Sequence, residues 1–166
     1  MKQISKKKGV IALALVALLA GMAAAWALTR PAISREIQKK ADFTIFYPES
    51  GADWHADRKS IAYNDETKVL SIKLTNGTRS IGLNQQASPA AFTDIPQQFP
   101  RMLDKLHQYT EVDTGIGRVT LTRPEELKGG QSAVANLRGT LMFANPDKDM
   151  SEPEWRELFD SLVVYK

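Results

Sequence analysis

The distribution of apolar residues divides the chain into two parts. Residues 9–28 form an uninterrupted run of 20 residues without a charged side chain. From Phe43 onward, apolar and polar residues alternate with a period of two, which is typical of β-strands that bury one face. The pattern therefore predicts an apolar N-terminal segment followed by a domain that is rich in strands.

Seven segments of the second part have the composition or the alternation of strands. The clearest is Val69–Thr75, in which Leu70, Ile72 and Leu74 share one face. Asn76-Gly77 follows as a hairpin signal, so the residues from Ile81 to Leu83 are predicted to return as an antiparallel strand. The other predicted strands are residues 43–47, which Pro48 ends, the segment with Ile61 and Tyr63, and residues 118–122, 132–137 and 140–144.

Two segments have helical spacing. The first contains Phe99, Met102, Leu103 and Leu106, with His107 on its polar side. The second begins with the capping box Ser151-Glu152-Pro153-Glu154 and continues as an apolar stripe. The residues of that stripe are Trp155, Leu158, Phe159, Leu162 and Val163. The predicted fold class is α+β, with two main helices packed on an antiparallel sheet.

The apolar run at residues 9–28 is long enough, as a helix, to span a hydrocarbon core of about 30 Å. A Lys cluster precedes it, and the run is longer than the roughly 7–15 apolar residues of a secretory signal, so we expect an uncleaved single-pass transmembrane helix. A cleaved secretory signal is the alternative, because Ala23-Ala24-Ala25 or Ala25-Trp26-Ala27 offers a small-residue cleavage site. The membrane is thus the first expected partner.

Basic residues near the apolar run bear on its orientation. Four lie on each side, but Lys6-Lys7-Lys8 adjoins the run directly, which favours a cytoplasmic N-terminus. The predicted organisation is then a cytoplasmic tail (1–8), a transmembrane helix (9–28), a juxtamembrane helix or linker (29–41) and an extracytoplasmic α+β domain (42–166). The alternative is a cytoplasmic domain that acts as a signalling output of the anchor.

Charge and composition exclude several classes of function. The whole chain has a pI near 9.1, but residues 43–166 contain 14 basic and 17 acidic residues. A mildly acidic domain lacks the basic surface that phosphate backbones require, so no nucleic-acid partner is expected. The chain has no cysteine, which excludes disulfides, thiolate metal sites and a cysteine nucleophile.

Candidate chemistry is sparse, and no catalytic, cofactor-binding or metal-binding residue is assigned. The segment Asp53-Trp54-His55-Ala56-Asp57 has D-x-H-x-D spacing, but such a loop more commonly solvates its acids while the Trp covers the edge of the core. Ser88 and Pro89 begin a small-residue connection that serves either as a binding loop or as a linker. Trp54, His55, Ser88 and Pro89 are therefore the candidate partner-binding residues. A hydrolytic or ligand-processing enzyme that uses residues 53–57 is the alternative.

Two stretches resemble the PsbP-like superfamily, which includes the extrinsic PsbP subunit of photosystem II and bacterial envelope proteins. Residues 43–54, FTIFYPESGADW, resemble its opening strand, which ends in Tyr-Pro with a Trp shortly after. Residues 139–164, GTLMFANPDKDMSEPEWRELFDSLVV, are similar to its late strand and capped final helix. The resemblance implies a membrane-attached α-β sandwich that binds or assembles without catalysis, with a protein or envelope component as its partner.

Overall fold

The computed structural model describes residues 32–95, 97–123 and 130–165. Contacts divide the chain into two units, Met1–Ser34 and Arg35–Lys166. The predicted tail at 1–8 and the predicted membrane segment at 9–28 lie outside the described residues. Within the described ranges, no helix has the length and apolarity that crossing a bilayer requires.

The second unit is α+β, with an antiparallel sheet and four helices. The helices are α1 (Arg35–Lys40), α2 (Ala90–Asp94), α3 (Gln98–Lys105) and α4 (Glu152–Asp160), and a 3₁₀ turn covers Arg58–Ser60. The strands are β1 (Phe46–Pro48), β2 (His55–Ala56), β3 (Ala62–Asn64), β4 (Val69–Thr75), β5 (Ser80–Ala87), β6 (Gln108–Thr114), β7 (Gly117–Thr122), β8 (Ser132–Leu137), β9 (Thr140–Pro146) and β10 (Leu162–Val164).

The main sheet has the order β2-β4-β5-β9-β8-β7-β6, and β3 also pairs with β4. A separate two-stranded ribbon joins β1 to β10. Every pairing is antiparallel. The predicted hairpin between β4 and β5 is confirmed, with Thr75 opposite Ser80. Its turn needs Gly77 at φ 87°, a conformation that costs glycine little.

The pairing register gives the main sheet two faces of different character. The ribbon face carries Leu70, Ile72 and Leu74 of β4, with Ile81, Leu83 and Gln85 opposite them on β5. The same face continues through Met142 and Ala144 of β9 and Ala133 and Ala135 of β8. The open face carries the alternate residues, among them Ser71, Lys73, Gly82, Asn84, Gln86, Phe143 and Asn145.

The ribbon face is covered by α4 and by the β1–β10 ribbon. Trp155, Leu158 and Phe159 of α4 are buried at 0% exposure. The ribbon is held to the sheet by Gln85, whose side-chain amide accepts from the Phe46 N–H at 2.8 Å and donates to the Phe46 carbonyl at 2.9 Å. This face is therefore the main core of the domain.

The helix α3 covers one end of the open face. Leu103 of α3 packs with Val134 and Leu141 of the sheet, and a partly buried apolar group surrounds these three residues. That group consists of Phe92, Phe99, Met102, Leu106 and Phe143. The predicted first helix thus forms, and it builds a second, smaller core on this face.

The second predicted helix also forms, with its capping box. Glu154 accepts hydrogen bonds from the Ser151 N–H at 2.7 Å and from the Ser151 hydroxyl at 2.8 Å. The prediction that the helical stripe continues to Val163 is wrong. The helix ends at Asp160, and Leu162–Val164 turns into β10, where Val163 is 39% exposed. Leu162 and Val163 fit the helical spacing of the preceding stripe, but in the structure they belong to a strand in which Leu162 is buried and Val163 is exposed.

Pro48 was expected to end the first strand, but it belongs to β1. It lies opposite Leu162 in a pair that exchanges no hydrogen bonds, so its missing N–H costs the ribbon nothing. His107 was expected on the polar side of a helix. It lies beyond the helix end instead, at φ 51°, where the chain turns into β6.

Three further elements depart from the sequence prediction. β6 lies between the two predicted helices, where no strand was expected, and β2 occupies part of the segment interpreted as a loop. α2 forms inside the small-residue connection that follows Ser88.

α1 falls within the predicted juxtamembrane helix or linker at 29–41. It is held at β3 by Lys40, which contacts both Glu36 and Asp65 at 2.9 Å.

Candidate functional site

The four predicted partner-binding residues do not form one site. Trp54 and His55 lie at the end of the sheet where β2 pairs with Thr75. Ser88 and Pro89 follow β5 at its far end, beyond Ala87. Because the strand between them has eight residues, the two pairs are separated by roughly 20 Å or more along the sheet.

The four residues also differ in exposure. Trp54 is 1% exposed, so its indole packs inside the domain and offers little surface to a partner. Its Nε1 has no hydrogen-bond partner among the described residues, and neither does the buried hydroxyl of Ser88. His55 and Pro89 are exposed. Direct contact with a partner is thus open to His55 and Pro89, whereas Trp54 acts through packing.

His55 lies beside a shallow cleft of about 450 Å³, lined also by Asp57, Lys73, Thr75 and Ser80. Its Nδ1 is 3.3 Å from the Asp53 carbonyl oxygen. Asp57 is occupied locally, because its carboxylate accepts from the Lys59 N–H at 3.0 Å and starts the 3₁₀ turn.

The D-x-H-x-D spacing does not produce a ligand cluster in the structure. Across residues 32–95, 97–123 and 130–165, no group of three or more Asp, Glu or His side chains is arranged to hold a metal ion. Asp53 uses its backbone carbonyl and Asp57 its carboxylate to order the local turn. The arrangement presents His55 as a single exposed imidazole that can donate or accept a hydrogen bond.

The open face of the main sheet provides a second surface, which sequence analysis did not single out. A cleft of about 320 Å³ lies over β5 and β9, next to the small core of α3. Its lining includes Val69, Asn84, Gln86, Phe143 and Asn145. Phe143 thus has one neutral amide side chain opposite it, Asn84 on β5, and another two residues along its own strand, Asn145.

Neighbouring hydroxyl groups hold the two asparagines of this surface in place. The Ser71 hydroxyl donates to Asn84 Oδ1 at 2.7 Å, and the Ser132 hydroxyl donates to Asn145 Oδ1 at 2.7 Å. Each amide oxygen is therefore engaged, while each NH₂ group keeps its donor capacity for a ligand. Because the side chains are fixed before binding, less conformational entropy is lost on association.

Glu154 and Tyr109 have shifted pKa values, and neither residue lines either of these two clefts. The pKa of Glu154 is lowered, chiefly by the Ser151 N–H and hydroxyl and further by Arg79. The pKa of Tyr109 is raised by partial burial, although the neighbouring Arg123 acts in the opposite direction. Both shifts have structural causes, in helix capping and in packing at the sheet edge.

One sequence signal could have identified the open face. The return strand of the hairpin alternates Ile81 and Leu83 with Gly82, Asn84 and Gln86, and two amides in succession on one face are an unusual outer surface for a strand. The pairing of Asn84 on β5 with Phe143 on β9 could not be predicted from the sequence, because it depends on the order of the strands in the sheet.

Comparison with known protein families, with curated proteins and with solved structures finds no match for this chain.

Proposed function

We propose that this protein is a membrane-tethered, non-enzymatic binding domain that docks a protein or an envelope component on the outer side of a membrane. The observation that carries the docking role is the open face. There Asn84 lies opposite Phe143 at the centre of the sheet, Asn145 lies two residues further along β9, and a neighbouring hydroxyl holds each amide in place. Neutral donors around one apolar ring suit recognition of a polar, uncharged surface.

The tether is supported by the sequence. The apolar run at residues 9–28 has the length of a membrane span, and Lys6-Lys7-Lys8 immediately precedes it. A folded unit begins at Arg35, only a few residues after that run. A domain held so close to a bilayer meets its partner within a thin layer, which raises the effective concentration of a membrane-bound partner.

Kinship with the PsbP-like α-β sandwich is part of the same proposal. It rests on the resemblance at residues 43–54 and 139–164 and on the order of strands and helices. The buried Trp54 and the capped helix α4 supply scaffold features of the kind that the resemblance implies. Proteins of this class that bind or assemble give the non-enzymatic role its support.

The enzymatic alternative retains one supporting observation, the exposed His55 at a cleft that also contains Asp57 and Lys73. The substitution His55→Ala separates the two functions. A hydrolytic activity that the substitution abolishes would favour the enzyme. Binding that survives the substitution, together with unchanged folding, would favour the docking domain.

Cysteine labelling in intact cells tests the tether and the sidedness. The chain has no cysteine, so a single substitution provides a unique label site without background. We expect Lys148→Cys, in an exposed turn of the domain, to react with a membrane-impermeant maleimide. Ser5→Cys in the predicted tail should react only after the cells are opened. The reverse pattern would place the domain in the cytoplasm and contradict the proposal.

Site-specific photocrosslinking tests the docking surface. A photoreactive residue at position 82, which is exposed on the open face, should form a defined adduct in cells. The same residue at position 148 serves as the control and should not form it. Adducts that are equally abundant at both positions would show that the open face has no special role.

A further inference from the structure

The cleft on the open face lies over central strands of the main sheet. β5 lies between β4 and β9, and β9 lies between β5 and β8. The backbone N–H and C=O groups around Asn84 and Phe143 are therefore engaged in ladders on both sides. An extended peptide cannot add to the sheet here, because strand addition needs an unpaired edge. A ligand in this cleft is thus recognised by side chains alone.

The accessible side chains of the cleft are uncharged. Apart from the buried Gln85, the lining residues are all partly exposed, and they are Val69, Asn84, Gln86, Phe143 and Asn145. Lys73, on the same face, lines the other cleft, beside His55. A charged ligand on the neutral lining would lose hydration without gaining an ion pair. The cleft therefore suits an uncharged ligand.

The amide groups of the cleft offer more donors than acceptors. The Oδ1 atoms of Asn84 and Asn145 already accept from hydroxyl groups of β4 and β8, at 2.7 Å each. Within the described ranges, neither NH₂ group has a hydrogen-bond partner, and the amide of Gln86 has none either. Gln86 alone supplies a free acceptor. A complementary ligand therefore carries several acceptors, such as carbonyl and hydroxyl oxygens.

Phe143 adds an apolar ring to this polar set. It lies opposite Asn84 on β5, and Asn145 follows two residues further along β9. The ring packs with the small core around Leu103 and is half-buried where it lines the cleft. The face of an aromatic ring carries partial negative charge and attracts C–H groups. The cleft thus matches a ligand with C–H groups on one side and oxygen atoms around its rim.

We propose that this cleft binds a neutral oligosaccharide of N-acetylated sugars that forms part of an envelope glycan. A pyranose ring presents C–H groups on its faces and hydroxyl groups at its rim, and each acetamido carbonyl supplies an acceptor for the NH₂ groups of Asn84 and Asn145. The volume of about 320 Å³ falls within the range of small-ligand sites, roughly 300–1,000 Å³. This inference rests on the proposed docking function and selects an envelope component, not a protein, as the partner.

An NMR titration of the full chain tests the class of ligand. The ¹⁵N-labelled protein is held in a phosphocholine detergent, which has no sugar headgroup. The probes are chitotriose, the neutral trimer of N-acetylglucosamine, and its deacetylated counterpart, which carries ammonium groups in mildly acidic buffer. We expect chitotriose to shift the side-chain NH₂ signals of Asn84 and Asn145 and to bind about tenfold more tightly than the deacetylated trimer. Equal binding of the two trimers, or no shift up to about 10 mM chitotriose, would overturn the proposal.

Replacement of an amide by a carboxylate tests the donors. Asn84→Asp keeps an oxygen that accepts from the Ser71 hydroxyl and removes the NH₂ group, so the fold should be retained while chitotriose binds about tenfold more weakly. Asn145→Asp makes the same change on β9 and decides the matter if Asn84→Asp does not fold. The matched control is Asn76→Asp in the β4–β5 turn, where Oδ1 accepts from backbone N–H groups. Its binding should be unchanged. Full binding by a folded Asn84→Asp variant would contradict the proposal.

A substitution of the ring tests the apolar contact. Phe143→Leu keeps an apolar side chain and removes the aromatic face, so chitotriose binding should weaken about fivefold. Phe92→Leu is the control, because Phe92 belongs to the same small core but does not line the cleft. It should leave binding unchanged. Equal losses in the two variants would count against direct contact of the sugar with Phe143.

The photocrosslinking experiment separates a failure of this inference from a failure of the docking function. An adduct from position 82 that contains sugar by mass spectrometry, and that lysozyme shortens by cleaving chains of N-acetylated sugars, would support both. An adduct that contains only peptide would retain the docking function and reject the glycan. Chitotriose binding in micelles without an adduct in cells would retain the class of ligand and reject docking in cells.

Discussion

The two faces of the main sheet use the same strands for different purposes. On the ribbon face, Leu70, Leu74 and Leu83 are fully buried beneath α4 and the ribbon. On the open face, the alternate residues of the same strands include Ser71, Lys73 and Asn84, and α3 packs on one end of it. The contrast indicates that one face carries the main core, and it supports our proposal that the other face takes part in recognition.

This difference has a physical cause in the alternation of strand side chains. Each residue of β5 lies on one face only, so selection for packing at Leu83 places no constraint on Asn84. A hydrophobic core on one side supplies most of the stability. The other side can then carry polar groups at little cost to the fold.

The largest expected effect is the loss of a large side chain from the ribbon face. Phe159→Ala should lower the free energy of unfolding by about 3–5 kcal/mol, because Phe159 is 0% exposed and stacks on Trp155. The matched control is Phe143→Ala on the open face, where the ring is only half-buried. Urea denaturation of the full chain in detergent measures both. Equal losses would contradict the assignment of one dominant core.

The second prediction compares neighbouring glutamines on opposite faces. Gln85→Ala leaves the Phe46 N–H and C=O buried without partners, which should cost about 2–3 kcal/mol. Gln86→Ala, one residue further on the open face, should change stability by less than about 0.5 kcal/mol. Urea midpoints of the two variants test the pair. A larger loss for Gln86→Ala would show that the faces have been assigned in reverse.

Much of the ribbon face could be predicted from the sequence, because its signals are local. The alternation in β4, the Asn76-Gly77 hairpin turn and the Ser151–Glu154 capping box each lie within a few residues of chain, and each forms. The prediction went wrong at Val163, where a helical and an alternating pattern coincide over a few residues. The residues around Val163 form a strand and not a helix because Val164 pairs with Phe46, which is distant in sequence.

The surfaces available for binding could be predicted only in part, because they depend on contacts between distant segments. His55 was identified from its D-x-H-x-D spacing, but among the described residues the three side chains of that motif do not come together as a metal-binding cluster. The open face joins Asn84 to Phe143, 59 positions apart in sequence.

A third prediction separates stability from binding on the open face. Asn84→Ala removes one partly buried hydrogen bond with Ser71 and should cost about 1 kcal/mol or less. The same substitution should abolish the adduct formed from position 82, because the fixed amide is lost from the surface. Stability is measured by urea denaturation and docking by the yield of the adduct. A large loss of stability with normal docking would assign Asn84 to the fold instead.

The smallest expected effect concerns the capping box that fixes α4 to the ribbon face. The pKa of Glu154 is lowered from its ordinary value of 4.5, first by the Ser151 N–H and hydroxyl and then by Arg79 at 2.8 Å. A lowered pKa in the folded state means that the carboxylate stabilises the fold above about pH 4.5 and loses this contribution as the pH falls further. Glu154→Gln should therefore lower the melting temperature at pH 7, and the difference from the original chain should shrink at pH 3. Glu157→Gln, which removes another exposed charge from the same helix, serves as the control and should show no such convergence. A difference between Glu154→Gln and the original chain that stays constant with pH would mean that the capping contacts do not depend on ionisation.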